Sequence, residues 1–128
     1  MQQRTAAQGA SAAPGHDPRP VDIATMRNTA RRVLSLEKPP TRDDLEMLTA
    51  ALRGHVQLLV PEIDALIRAQ PAGDLHAGIA RVGIEEASRR LTTPLGFGPD
   101  AAYRCARKLA LSVCSLCDHY EHLRPPAS

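Results

Sequence analysis

The chain has 128 residues, of which 43% are hydrophobic, and its 16 basic and 14 acidic residues give a net charge of +2. This length and composition indicate one domain with enough apolar side chains for a core. A charge this balanced argues against a nucleic-acid-binding protein. With two tyrosines, one phenylalanine and no tryptophan, the core must be aliphatic, which suits packed helices better than sheets. The shortage of aromatic rings also argues against a protein that stacks single-stranded bases.

The two ends of the chain have the composition of disordered segments. Residues 1–20 are rich in Ala, Gln, Gly and Pro, and they have too few large apolar side chains to offset the entropy of ordering. We therefore expect a disordered tail over 1–20, a helical domain over 21–124 and a disordered C-terminus over 125–128. No apolar run is long enough to cross a bilayer, so no membrane contact is expected.

The cysteine count and the start of the chain indicate a cytoplasmic protein. The three cysteines are an odd number and all lie late in the chain, which argues against a secreted disulfide framework. The first fifteen or so residues also lack the apolar core of a secretory signal.

Apolar spacing predicts two helices in the first half of the domain. The first covers about 21–37 with Asp22 as its cap, and the second covers about 41–70 with Thr41 as its cap. The predicted core stripe of the second helix is Leu45, Leu48, Leu52, Val56, Leu59, Ile63, Leu66 and Ile67. Because this stripe keeps its phase across Pro61, we expect one helix kinked at that proline.

Two further helices follow, over about 74–92 and 100–123, with Asp74 and Asp100 as the expected caps. The predicted core residues of the third helix are Leu75, Ile79, Val82, Ala87 and Leu91. Those of the fourth are Ala102, Ala106, Leu109, Val113, Leu116, Tyr120 and Leu123. Four helices with short connections predict an all-α fold, an antiparallel four-helix bundle.

The densest group of reactive side chains lies near the end of the fourth helix, where residues 114–122 read CSLCDHYEH. On a helix, Cys114 and His119 lie about 140° apart, and no second ligand pair completes a tetrahedral zinc site. A CxxC inside a helix also differs from redox motifs, which lie at a helix N-terminus after a strand. The chain has no P-loop and no GxGxxG after a strand. We therefore expect no metal and no cofactor, and no catalytic residue is assigned.

A second apolar face is the more informative feature. It comprises Met47, Ala51, Gly54, Leu58 and Ala65 on the second helix, opposite the core stripe, with Leu111 and Cys114 on the fourth. A helix that is apolar on two sides is either buried between neighbours or part of an interface. Both readings stay open for the second helix, whereas Leu111 with Cys114 is the better interface candidate.

A basic face on the first helix comprises Arg27, Arg31 and Arg32. These side chains could meet phosphates, but a solvated face of an amphipathic helix is the simpler interpretation. No helix-turn-helix pattern accompanies them, so DNA binding is the weakest hypothesis.

Two segments resemble a known family. Residues 52–63 read LRGHVQLLVPEI and residues 116–121 read LCDHYE, and Pro-Pro-Thr precedes the second helix. Over about 22–123, the chain resembles small actinobacterial proteins of unknown function, mainly from Streptomyces, that are commonly labelled natural product biosynthesis proteins. The resemblance implies a cytoplasmic setting in secondary metabolism or its regulation, and no established reaction. The positions that match the family pattern are His55, Pro61, Asp118, His119 and Tyr120.

Two functional hypotheses follow. The first is a non-catalytic accessory or regulatory protein that binds a protein partner or a second copy of itself through the second and fourth helices. The alternative is a small enzyme or ligand-binding bundle in which His55, Cys117, His119 and Tyr120, with Asp118 beside them, form a polar cluster. A structural version of the same cluster has His55 hydrogen-bonded near Tyr120 or His119, where it sets the register of the two helices.

Overall fold

A computed structural model describes residues 21–94 and 96–125 of the chain. It contains four helices: α1 (Ile23–Leu34), α2 (Arg42–Arg68), α3 (Leu75–Thr92) and α4 (Pro99–Leu123). The predicted all-α class is confirmed, and no strand occurs in those two ranges. The predicted tail over 1–20 and residues 126–128 of the predicted C-terminus lie outside the described residues.

Three of the four helices begin at the polar residue that the sequence indicated. The side chains of Asp22, Thr41 and Asp74 each accept a hydrogen bond from the backbone N–H three residues later, at 3.1, 3.2 and 2.9 Å. Each bond satisfies one of the N–H groups that a helix leaves without an internal partner. These caps therefore fix where α1, α2 and α3 start.

The start of α4 differs from the prediction. Its N-cap is Gly98, with φ +92°, and no side chain caps the helix. Proline at the first helical position needs no N–H partner and already has a helical φ, so Pro99 starts the helix. The expected cap, Asp100, lies instead in the first turn, where its negative charge faces the positive end of the helix dipole.

The helix order gives an antiparallel bundle with α2 and α4 as its central pair. α4 packs against all three other helices, and within the described residues α1 and α3 do not contact each other. Gln70 at the end of α2 donates from Nε2 to the carbonyl of Leu123 at the end of α4, at 3.3 Å. Arg107 of α4 donates to the carbonyl of Leu34. α2 and α4 therefore run parallel to each other and antiparallel to their neighbours.

The predicted stripes of α2 and α4 are confirmed as the centre of the core. The buried residues of these stripes are Leu45, Leu52, Val56, Leu59, Ile63 and Ile67 on α2 and Ala106, Leu109, Val113, Leu116 and Leu123 on α4. α2 continues through Pro61 as one helix, as predicted, and this proline lies on the exposed side. The missing hydrogen-bond donor of the proline is thus on the side of the helix that faces water.

The predicted core face of α3 is wrong for its first half. The buried residues of α3 are Ala77, Ala80 and Ala87, whereas Leu75 is 72% exposed and Val82 63% exposed. Small side chains allow the α3 backbone to approach the α2 and α4 pair closely, because the distance between packed helices depends on the side chains at the contact. The larger side chains of α3 are consequently left on its outer side.

Candidate functional site

The residues of the predicted polar cluster lie on two helices. His55 is half-buried on α2, and Asp118, His119 and Tyr120 follow one another on α4. Successive residues on a helix point about 100° apart; Asp118 and His119 nevertheless both border one small cavity, whereas Tyr120 does not. Within residues 21–94 and 96–125, no hydrogen bond joins His55 to any of the three. A shared site for these residues therefore remains a prediction.

Asp118 faces α1. Arg27 of α1 places its Nη2 atom 2.6 Å from Asp118 Oδ1 and 2.8 Å from Glu121 Oε1, and the Arg27 side chain is largely shielded from solvent. The hydrogen bond with Glu121 is the main cause of a raised Arg27 pKa, and that same bond lowers the pKa of Glu121. These two ion pairs link α1 to α4. Arg27 is partly buried, whereas the other two arginines of the predicted basic face are exposed.

His119 faces α3. Its Nε2 atom lies 3.2 Å from Ser115 Oγ one turn earlier, and burial lowers the pKa of its imidazole. The ring lies over Gly83, where an added Cβ would be only 2.8 Å from His119 Nε2. Gly83 thus gives the imidazole its space, a role that the sequence analysis missed although a glycine inside a helix was the available signal.

Two more histidines border the same edge of the bundle. The rings of His76 on α3 and His122 on α4 are 5.7 Å apart, and with His119 and Ile79 they line a cavity of about 330 Å³. In the described part of the chain, no group of three or more His, Cys, Asp or Glu side chains is arranged to hold a metal ion. The cavity is thus lined by three imidazole rings, by the carboxylate of Asp118 and by the apolar side chains of Ile79 and Leu123.

The remaining members of the alternative catalytic set are Cys117, His55 and Tyr120, and each is at least partly buried. Burial raises the pKa of the Cys117 thiol to about 11 and lowers that of the His55 imidazole. A thiol with so high a pKa is protonated at neutral pH and is a poor nucleophile. Tyr120 is partly buried against the core, and the Arg124 guanidinium lies 5.7 Å from the centre of its ring.

The predicted interface residues have different exposures. On α2, Met47 is 66% exposed and Leu58 is also exposed, while Ala51 is half-buried. On α4, Leu111 is 52% exposed, but Cys114 is half-buried, and burial raises the pKa of its thiol. Met47, Leu58 and Leu111 are therefore accessible, Ala51 and Cys114 only partly so, and an interface through these residues stays a prediction.

A further apolar surface lies on α3, and we call it the α3 surface. It consists of Leu75, Gly78, Ile79 and Val82, all of them exposed. The spacing of i, i+4 and i+7 for the three large side chains places them on one side of about two helical turns. They border an open groove of about 790 Å³ where α2 ends and α3 begins. The sequence analysis assigned these three side chains to the core and so missed the surface.

Comparisons with known proteins give a family without an assigned activity. A family described as "Family of unknown function (DUF6415)" matches residues 24–125, which include all four helices except the first residue of α1. No curated protein and no solved structure matches the chain. None of the helices in the described part of the chain is long and apolar enough to cross a membrane.

Proposed function

The chain belongs to the family of unknown function DUF6415, and we propose that it is a non-catalytic accessory or regulatory protein that binds another protein chain. The observation that carries the proposal is the α3 surface. A folded monomer usually hides its large aliphatic side chains, and a continuous exposed group of them marks an interaction site. Here Leu75, Ile79 and Val82 are adjacent on one helix, and Ile79 is still 49% exposed.

The shape of the α3 surface favours a helix as the bound element. Gly78 lies between the large side chains, and an added Cβ there would meet nothing within 4 Å. A glycine in that position allows the backbone of a partner helix to approach closely. Apolar anchors one helical turn apart are also the pattern by which amphipathic helices and grooves recognise each other.

Charge at the rim of the groove indicates which partner helix fits. Arg68 and Arg81 both line it and are exposed, while Asp74, which also lines it, accepts the hydrogen bond that caps α3. Arg68 forms an ion pair with Asp64 at 3.1 Å. Arg81 directly precedes Val82 on α3 and also lines the groove. A partner helix with an apolar stripe and acidic flanks would place its carboxylates beside these arginines, which favours correct orientation.

We also propose the setting in which the protein works. The resemblance of residues 52–63 and 116–121 to actinobacterial proteins labelled for natural product biosynthesis supports a role in secondary metabolism. The three unpaired cysteines support a reducing, cytoplasmic compartment. Regulation of a biosynthetic enzyme through a docked helix would combine these two expectations.

Site-specific photocrosslinking in the native cell tests the proposed surface. Ile79 is replaced by the photoreactive residue p-benzoylphenylalanine, and Asn28, which is exposed on α1, is replaced in the same way as the control. We expect a discrete crosslinked species from position 79 that is absent from position 28. It should disappear when Val82→Lys is added to the position 79 variant, because a lysine there introduces charge without disturbing the core.

The mass of the crosslinked species identifies the bound chain. A different protein and a second copy of this chain both fit the proposal, and light scattering of the purified protein distinguishes them. Absence of a species specific to position 79, together with a strict monomer at high concentration, would refute the proposal. Circular dichroism of each variant confirms that the bundle is intact.

The two other functions considered have less support. The enzyme or ligand-binding alternative requires His55, Cys117, His119 and Tyr120 to meet, but His119 faces α3 and Cys117 carries a buried, protonated thiol. DNA binding requires a free basic face on α1, whereas Arg27 is engaged by two carboxylates.

A further inference from the structure

Another cavity lies where α3 ends and α4 begins, at the opposite end of α3 from the groove beside the α3 surface. Its volume is about 330 Å³, which is at the lower end of the range for small-molecule pockets. The residues that line it are Arg90, Thr93, Pro94, Ala101, Arg104, Cys105 and Lys108. Three of these seven side chains are cations, and none is a carboxylate.

Two hydrogen bonds position Arg90 in this cavity. Its Nη1 atom donates to the carbonyl of Lys108 and to Ser112 Oγ, both at 2.8 Å, and Ser112 is buried. Its Nη2 atom is 3.7 Å from the nearer carboxylate oxygen of Glu86, which is beyond hydrogen-bond distance. The guanidinium is therefore fixed by one nitrogen, and its other donors remain available to a bound group.

The other two cations have no anionic partner. Arg104 and Lys108 are one turn apart on the same side of α4, both are exposed, and within residues 21–94 and 96–125 neither side chain forms an ion pair. Asp100, one turn before Arg104, does not line the cavity. Arg104 and Lys108 are therefore two like charges without a carboxylate beside them, and a bound anion would reduce their repulsion.

We propose that this cavity binds the phosphate group of a small molecule, either inorganic phosphate or a phosphate monoester. Guanidinium groups match phosphate oxygens in geometry, and an ammonium adds a flexible third donor. The cavity also borders the first turn of α4 through Ala101, but the Ala101 N–H donates to the Gly98 carbonyl and Asp100 lies in the same turn, so the helix end adds no donor to the site. The Thr93 hydroxyl donates to the carbonyl of Arg89, so the donors for the anion are the three cations.

Nuclear magnetic resonance of the full chain tests the site. Labelled protein is titrated with inorganic phosphate and, separately, with glycerol 3-phosphate, and sodium chloride at equal ionic strength is the reference. We expect saturable shifts of backbone amides around Arg90, Ala101 and Lys108. Stronger binding of the ester than of free phosphate would identify a monoester as the ligand, and the reverse would identify the inorganic ion. Both results support the phosphate site.

The variant Arg104→Gln with Lys108→Gln supplies the decisive comparison. Both side chains are exposed, so the fold should persist, and loss of two charge-assisted hydrogen bonds should raise the Kd at least about tenfold. The matched control is Arg32→Gln on α1, another exposed arginine, which should leave the Kd unchanged. Equal affinity in the double variant, or shifts no larger than those caused by chloride, would overturn the proposal. Because these residues are far along α3 and α4 from the α3 surface, failure here leaves the protein-binding proposal standing.

Discussion

Truncation of two isoleucines tests which face of α3 points inward. Ile63→Ala and Ile79→Ala remove the same atoms from the interiors of two helices, but Ile63 is fully buried while Ile79 is 49% exposed. Removal of a buried isoleucine loses its transfer free energy and leaves a cavity, for which about 3 kcal/mol is expected. Ile79 has much less burial to lose, so we expect a cost below about 1 kcal/mol.

Urea unfolding followed by far-UV circular dichroism measures both values. The gain in helix propensity from isoleucine to alanine is a few tenths of a kcal/mol, and it is common to both variants. The difference between them should therefore be at least about 2 kcal/mol, with unchanged m-values. Dilute protein is used so that association through the α3 surface does not add stability.

Equal costs for the two variants would refute this orientation of α3. Leu75, Ile79 and Val82 would then face the core, as the sequence pattern alone predicted, and the α3 surface would not exist. Val56→Ala and Val82→Ala provide a second matched pair with the same contrast in burial.

Three further outcomes are expected. Gly54→Ala should stabilise the protein by about 0.5–1 kcal/mol, because an added Cβ meets nothing within 4 Å in the middle of α2; a loss of stability in thermal unfolding would contradict this reading. Asp74→Ala should cost about 1 kcal/mol by removing the cap of α3, and Asp74→Asn, which keeps a capping oxygen, should recover most of that loss in the same assay. Because the hydrogen bond from Arg27 lowers the pKa of Glu121 below its ordinary value of 4.5, its stabilising effect is present above that pH and is lost as the pH falls through the folded-state pKa. Arg27→Met should therefore flatten the acid side of a plot of urea midpoint against pH, and an unchanged slope would show that the ion pair does not contribute.

Long, regular apolar stripes made α2 and α4 predictable. On α2, Leu52, Val56, Leu59 and Ile63 lie on one side with no competing pattern of equal size, so the buried face follows directly from helical geometry. The caps Asp22, Thr41 and Asp74 were also predictable, because capping depends only on a side chain and on backbone atoms three residues away.

The inward face of α3 was not predictable in the same way. Its sequence offers two faces, one with Leu75, Ile79 and Val82 and one with Ala77 and Ala80. Transfer free energy alone favours burial of the larger side chains. The structure instead buries the alanines, because close packing of α3 against two helices depends on the space between backbones, which a single-helix pattern does not contain.

The candidate sites illustrate the same limit. The Arg27 ion pairs join residues 91 and 94 positions apart, and Arg90 meets Ser112 across two helices. Nothing in the local spacing of these residues indicates that they are neighbours. The resemblance to a family singled out Asp118 and His119, but it did not indicate that one faces α1 and the other α3.

The sequence by itself determined that the chain forms four helices, where three of them start and which sides of α2 and α4 form the core, because each of these properties depends on atoms a few residues apart. The tertiary structure decided the rotation of α3, the exposure of its aliphatic side chains and the grouping of Arg90, Arg104 and Lys108 around one cavity. These features depend on how closely neighbouring helices approach, and that distance results from the packing of all the side chains between them.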